Sequence, residues 1–251
     1  EDLAELRLLR RDKDRYTIAF TLLLADDVRR IRVLAEKHAR ILADSILAHR
    51  AEIEQLLATY TTPGVAKGDI AFIVLGCFSL DWDGLAILKA KGLRTGESPH
   101  PDGKYVPWAE ERIADQFRSY DRSSTTYRGR TAYLSFSDGT VHGIPGEHPA
   151  PQTPVFTRKD QSMVARLRAI GRRAIESWLS THYHEVRKEL AGIAPMRAGV
   201  PFEESFNQIW HPIFGRTNAL LVEAGLFTDP YAPNRPWRGY TPAIFDGSIL
   251  K

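Results

Sequence analysis

The chain has 251 residues, 43% of them hydrophobic and 26% charged, and its 34 Lys and Arg against 31 Asp and Glu leave a formal net charge of only +3. These fractions are ordinary for a soluble globular protein, while a single cysteine, Cys77, excludes an intramolecular disulfide and fits a reducing, cytoplasmic compartment. No run is long enough on this reading to span a membrane, because the apolar stretch around residues 70–88 is interrupted by Ser79, Asp81 and Asp83, and no signal peptide is visible.

Residues 1–25 read as an N-terminal arm followed by an apolar helix. The arm carries Arg7, Arg10, Arg11, Lys13 and Arg15, a charge run that fits a solvated terminus better than a nucleic-acid contact. Residues 16–25 are apolar nearly all round and must be covered, for instance by a partner subunit. Residues 26–60 carry Val28, Ile31, Leu34, His38, Leu42, Ile46, Ile53, Leu56 and Leu57 at three- and four-residue steps, the pattern of one long amphipathic helix stopped by Pro63 and Gly64. His38 and His49 lie on or beside its buried stripe; with no acid or thiol to complete a metal site, they read as hydrogen-bonded core or interface residues.

Residues 64–107 form a first unit. Ile70, Phe72, Ile73, Val74 and Cys77 make an apolar helix, and Ser79, Leu80 and Asp81 break it. Asp81 then caps a second helix that Gly92 ends. Residues 95–108 are loop, and a short helix follows over 108–120. Residues 131–144 predict a small β-hairpin turning at Asp138 and Gly139, with Phe136 opposite Val141 and Tyr133 opposite Ile144. A Pro-rich linker covers 145–159. Asp160 caps a second long helix running to about Ala191, with Met163, Leu167, Ile170, Ala174, Trp178, Leu179, Tyr183, Val186 and Leu190 as its stripe. In the second unit Phe202, Phe206, Ile209 and Trp210 make one helix, His211 and Pro212 end it, and a helix with Leu220, Leu221 and Val222 stops at Gly225.

The two units echo each other. Gly64 and Val65 return as Gly199 and Val200, Gly92 and Leu93 as Gly225 and Leu226, and Tyr105 and Pro107 as Tyr240 and Pro242, at steps of about 135 residues. Helix, tight turn, helix and an extended tail is the plan of a helix-turn-helix. The Leu-rich stretches 85–93 and 218–226, each closing in Gly-Leu, resemble the end of the recognition helix in winged-helix proteins. The resemblance covers about a third of the chain and names no specific family. It implies a mainly α protein of two winged-helix-like units, each preceded by a long helix, plus the hairpin, organised as 1–25, 26–144, the linker 145–159, and 160–251.

The residues offer little enzyme chemistry. His182 and His184 are two apart on a helix and point away from each other, and His142 and His148 fall near a turn, so no metal and no cofactor is expected. Asp81 and Asp83 fit helix capping better than paired-carboxylate catalysis, and no Gly-rich phosphate loop occurs. Arg158, Lys159, Arg166, Arg168, Arg172 and Arg173 form the densest positive stretch, a candidate phosphate contact or a solvated face. Arg216, Thr217 and Asn218 open the second recognition helix, where Arg reads guanine and Asn adenine, and Arg235 and Arg238 follow in its wing. The expectation is a cytoplasmic regulator that binds double-stranded DNA as a homodimer joined through the long helices. Against a two-headed reader, the first unit's helix opens with Asp81 and Asp83. The alternatives are a protein-interaction scaffold with a degenerate winged-helix fold, and a small-molecule sensor or enzyme with a pocket walled by Trp82, Trp108, Trp178 and Trp210.

Overall fold

A computed structural model of the chain describes residues 9–18, 21–94, 98–100, 103–105, 108–111, 113, 120–127, 130–137, 154–230, 232 and 243–245. The fold is mainly α. Three short strands, β1 (Leu9–Asp12), β2 (Arg15–Ile18) and β3 (Thr21–Leu23), lead into α1 (Ala25–Leu47), α2 (Arg50–Ala58) and a continuous helix α3 (Lys67–Ala90). Short strands β4 (Ser98–His100), β5 (Gly103–Tyr105) and β6 (Trp108–Glu110) follow, then a longer pair, β7 (Tyr120–Tyr127) and β8 (Arg130–Ser137). After β9 (Val155–Phe156) come α4 (Gln161–Leu190), the short α5 (Ala194–Arg197), α6 (Phe202–Glu223) and β10 (Ala243–Phe245). The last strand joins two distant stretches, pairing antiparallel with β8 and parallel with β9, so that one sheet has the order β7-β8-β10-β9.

Helix α3 is the centre of the packing, and its composition requires that. Every residue from Ile70 to Asp81 is buried, so the helix has no polar face and must be surrounded. By length and composition alone it could cross a membrane, yet 83% of its most apolar window is buried inside the protein, the pattern of a core helix. Through Phe72–Asp83 its backbone takes the wider π form, which usually occurs only as single-turn bulges. Three glycines let neighbours come close. A Cβ on Gly68 would lie 2.6 Å from the Thr228 backbone nitrogen, one on Gly76 2.8 Å from Asn218 Oδ1, and one on Gly84 2.9 Å from the Trp210 ring. These contacts run antiparallel along α6 and the segment after it. At Gly68 the obstacle is backbone and cannot rotate away, so Gly68→Ala should cost about 1–3 kcal/mol of overpacking strain, read as a lowered urea midpoint.

Around α3, helices α1 and α4 lie antiparallel. Lys37 bridges Glu185 and Glu189 at 2.5 and 3.0 Å, Arg30 Nη1 donates to the Gly192 carbonyl at 2.9 Å, and Arg166 meets Glu52 at 3.2 Å. Helix α6 runs beside α1 in the same direction, with Arg216 on Glu36 and Arg50 Nη1 donating to the Ala224 carbonyl at 3.1 Å. Asp27, buried in the first turn of α1, accepts from the Leu24 amide at 3.3 Å and the Ala194 amide at 2.9 Å, tying that turn to α5. Tyr60 fastens the end of α2 to β9: its hydroxyl donates to the Val155 carbonyl and accepts from the Val155 amide.

Several expectations are corrected. The helix expected over 16–25 is strand at β2 and β3, and Trp108–Glu110 is strand β6 paired parallel with β3, where a helix was expected. The long helix over 26–60 is interrupted at Ala48 and His49, giving α1 and α2. Residues 131–137 are indeed strand, but they pair with β7, with Tyr133 opposite Ser124 and Phe136 opposite Asp121. The partners expected for them, Val141 and Ile144, lie outside the described residues. Asp160 is the N-cap residue of α4 as expected, but its carboxylate accepts from the Thr157 amide at 2.8 Å and the Thr157 hydroxyl at 3.1 Å in the turn before the helix.

Both helix breaks that a helix-turn-helix requires are absent. Ser79, Leu80 and Asp81 sit within α3, and His211 and Pro212 within α6. The apolar stripes of α1 and α4 are covered inside the protein, leaving Val33 as the large apolar side chain α1 exposes.

The four glycines of the repeat do share a conformation: Gly64, Gly92, Gly199 and Gly225 have φ of 76°, 68°, 86° and 71°, and they are the positive-φ glycines among the described residues. Three of them close helices in the same way. The Leu93, Val200 and Leu226 amides reach back to Leu88, Pro195 and Leu221, and the Gly92, Gly199 and Gly225 amides to Lys89, Met196 and Val222. This is the Schellman stop, with an apolar residue following the glycine.

Candidate functional site

Of the residues expected to read DNA bases, Thr217 and Asn218 are buried and Arg216 is part-buried. Thr217 has no exposed surface, and its hydroxyl donates to the Ile213 carbonyl at 2.9 Å. Asn218 is 1% exposed and lies against Gly76. The Arg216 side chain is 12% exposed and held by Glu36 and Glu223. Because α6 has no break at Pro212, these positions lie mid-helix and face α1 and α3. Arg235 and Arg238 lie outside the described residues.

The basic stretch of α4 divides in two. Arg168 turns inward, with Nε and Nη2 donating to Asp83 at 2.9 and 2.7 Å, a two-point clamp on a carboxylate only 7% exposed. The expected capping role of Asp83 is therefore replaced by ion pairing, and Asp81 is buried within α3, away from any helix end. Arg158, Lys159, Arg166, Arg172 and Arg173 are exposed on the first turns of α4 and the turn before it. Arg166 meets Glu52, and Arg172 stands 4.0 Å from Asp83.

A second constellation lies between α1 and α4. His38 is fully buried, and Trp178 Nε1 donates to its Nδ1 at 3.2 Å. An indole nitrogen can only donate, so Nδ1 must accept, and the neutral ring carries its proton on Nε2. That buried Nε2 has no hydrogen-bond partner among the described residues. Beside it, His182 Nδ1 lies 3.1 Å from Glu185 Oε2. One donor atom from each of His38, His182 and Glu185 falls within 4.8 Å of the others. Trp178 in turn packs on Phe206 and Trp210 of α6, with ring centroids 6.4 and 5.5 Å apart. Of the four tryptophans expected to wall a pocket, Trp178 and Trp210 thus pack against each other, while Trp82 is 37% exposed and edges onto Phe78.

Charge states follow from the surroundings. Burial pushes His38 down to about 4, and the hydrogen bond from Lys37, helped by His182, holds Glu185 at about 2. The same bond raises Lys37, and the Arg216 hydrogen bond lowers Glu36. For His38 the linkage has one direction. The unfolded imidazole takes up its proton near pH 6.5 and the folded one near 4, so stability is full above about pH 6.5 and declines as pH falls from there toward 4. In chelator-treated protein the loss should be on the order of 2 kcal/mol across that window. His38→Gln should flatten this part of a urea-midpoint profile; an unchanged slope would assign the effect to other groups.

The His38 cluster was missed at the sequence level because its members are about 144 residues apart. The local signal available was His182 and Glu185 at i and i+3, on one helix face. No protein-family model, no curated protein and no solved structure matches the chain.

Proposed function

We propose that the chain is a nucleic-acid-binding regulator that lays the first half of α4 along the phosphate backbone. The observation that carries this reading is the exposure of Arg166, Arg172 and Arg173 on the first half of a long helix whose opposite side is fixed in the core, with Arg158 and Lys159 exposed in the turn leading into it. Exposed guanidinium and ammonium groups at this density exchange condensed counterions for phosphate contacts. The reading needs no winged helix. Its contacts are sequence-independent ones, because the side chains suited to reading bases, Arg216 and Asn218, are engaged inside the fold.

The test is fluorescence anisotropy of a labelled random-sequence duplex across a range of salt. Binding should weaken steeply as salt rises, and the double variant Arg172→Ala/Arg173→Ala should lower the slope of log affinity against log salt by about 2, close to one for each phosphate no longer neutralised. Asn218→Ala should change stability and leave the slope unchanged. No binding at about 50 mM salt would sink the reading and move the case to the protein-interaction scaffold, with its exposed cations serving an acidic partner.

A further inference from the structure

We propose that His38, His182 and Glu185 form a binding site for a divalent first-row metal ion of the zinc class, bridging α1 and α4. The inference is independent of the nucleic-acid reading. Two imidazoles and a carboxylate are the donor set zinc takes when three protein ligands leave a further position for water. The donor atoms lie within 4.8 Å of one another, and His182 and Glu185 are already at 3.1 Å. Bonds of about 2.0–2.2 Å to one ion need donors about 3.3 Å apart, so the site has to tighten by at most about 1.5 Å at its widest. The movable members are the ones that face solvent: the His182 and Glu185 side chains are 23% and 41% exposed, which also gives the ion its way in.

The second observation is the buried His38 itself. Its Nε2 has no hydrogen-bond partner among the described residues, while its Nδ1 accepts from Trp178. A buried polar atom without a partner is uncommon in a finished fold, and a cation on Nε2 would satisfy it. Binding there requires the ring's single proton to move from Nε2 to Nδ1, where it faces the indole N–H. The indole must then let go of the ring. Metal entry is therefore coupled to a change at Trp178, while the Lys37 ammonium sits on Glu185 Oε1 at 2.5 Å and leaves Oε2, the oxygen beside His182, for the ion.

The test uses the full chain stripped with a chelator and titrated with Zn²⁺ alone and with Co²⁺ alone, following tryptophan emission and the visible cobalt bands. One equivalent should bind, tryptophan emission should change in step with occupancy, and His182→Ala and Glu185→Gln should each weaken affinity by at least about tenfold. Both substitutions fall on part-exposed side chains, so folded protein should be obtained for each, checked by circular dichroism. The proposal is overturned if no saturable binding occurs by about 100 μM metal, an affinity too weak for a built site. It is equally overturned if the ion binds with the same affinity in both variants, since the ligands then lie elsewhere.

Discussion

Arg168→Ala is expected to destabilise the fold by about 3–5 kcal/mol, enough to unfold a large share of the protein if its total stability is typical. The guanidinium is the partner of Asp83, whose side chain is 7% exposed, and it grips both carboxylate oxygens. Removing it leaves a desolvated negative charge, with Arg172 at 4.0 Å the remaining cation near it. The cost comes mostly from that stranded charge. Arg168→Met combined with Asp83→Leu, which takes out both charges and keeps apolar volume, should therefore recover most of the loss. Urea unfolding of the two variants at pH 7 separates the effects. If the double variant is as unstable as Arg168→Ala alone, the pair is contributing shape, and the charge argument fails. The same clamp removes Arg168 from the cations available to a phosphate backbone, so its substitution tests the core and says nothing about binding.

The long amphipathic stretches were legible because burial on one side leaves a 3.6-residue period in the sequence. Met163, Leu167, Ile170, Trp178 and Leu190 of α4 are buried as that period requires, as are Ile31, Leu34, Leu42 and Ile46 of α1. Where burial is complete the period vanishes. Ile70 to Asp81 is enclosed on every side, so Ser79 and Asp81 look like a break when they are polar groups buried inside one helix; Ser79 is bonded to the Arg168 carbonyl at 3.0 Å. The π backbone through this stretch shifts the side-chain phase further from the expected one. Pro212 misleads in the same direction, since tertiary packing holds α6 helical through it. The Gly-Leu endings that resemble a winged helix are a general way to stop a helix, which limits what the resemblance carries. The His38 site was illegible for a different reason: its geometry exists only once α1 and α4 pack antiparallel.

Trp210→Ala should cost about 3–5 kcal/mol, the range for emptying a large aromatic site in a core that relaxes only in part. The side chain has no exposed surface, its indole N–H donates to the Leu80 carbonyl at 3.1 Å, and its ring lies against Trp178 and Phe214. It joins three elements: the carbonyl belongs to α3, Trp178 to α4, and Trp210 itself to α6. Gly84 gives the means of showing that the indole accounts for the local backbone, because a Cβ there would stand 2.9 Å from the ring. Alone, Gly84→Ala should cost about 1–3 kcal/mol as the indole is pushed from its place. In the Trp210→Ala background the methyl enters the space the indole vacates, so its cost should fall to near zero or reverse, and the interaction energy of the double-mutant cycle should be about 1–3 kcal/mol. Additive costs would mean that Gly84 serves the α3 backbone alone. A coupled result carries further, to the metal site. Trp178, which rests on Trp210 and holds His38 by its indole, loses its support in the Trp210 variant, so emptying the core between α3 and α6 should also loosen the geometry between α1 and α4.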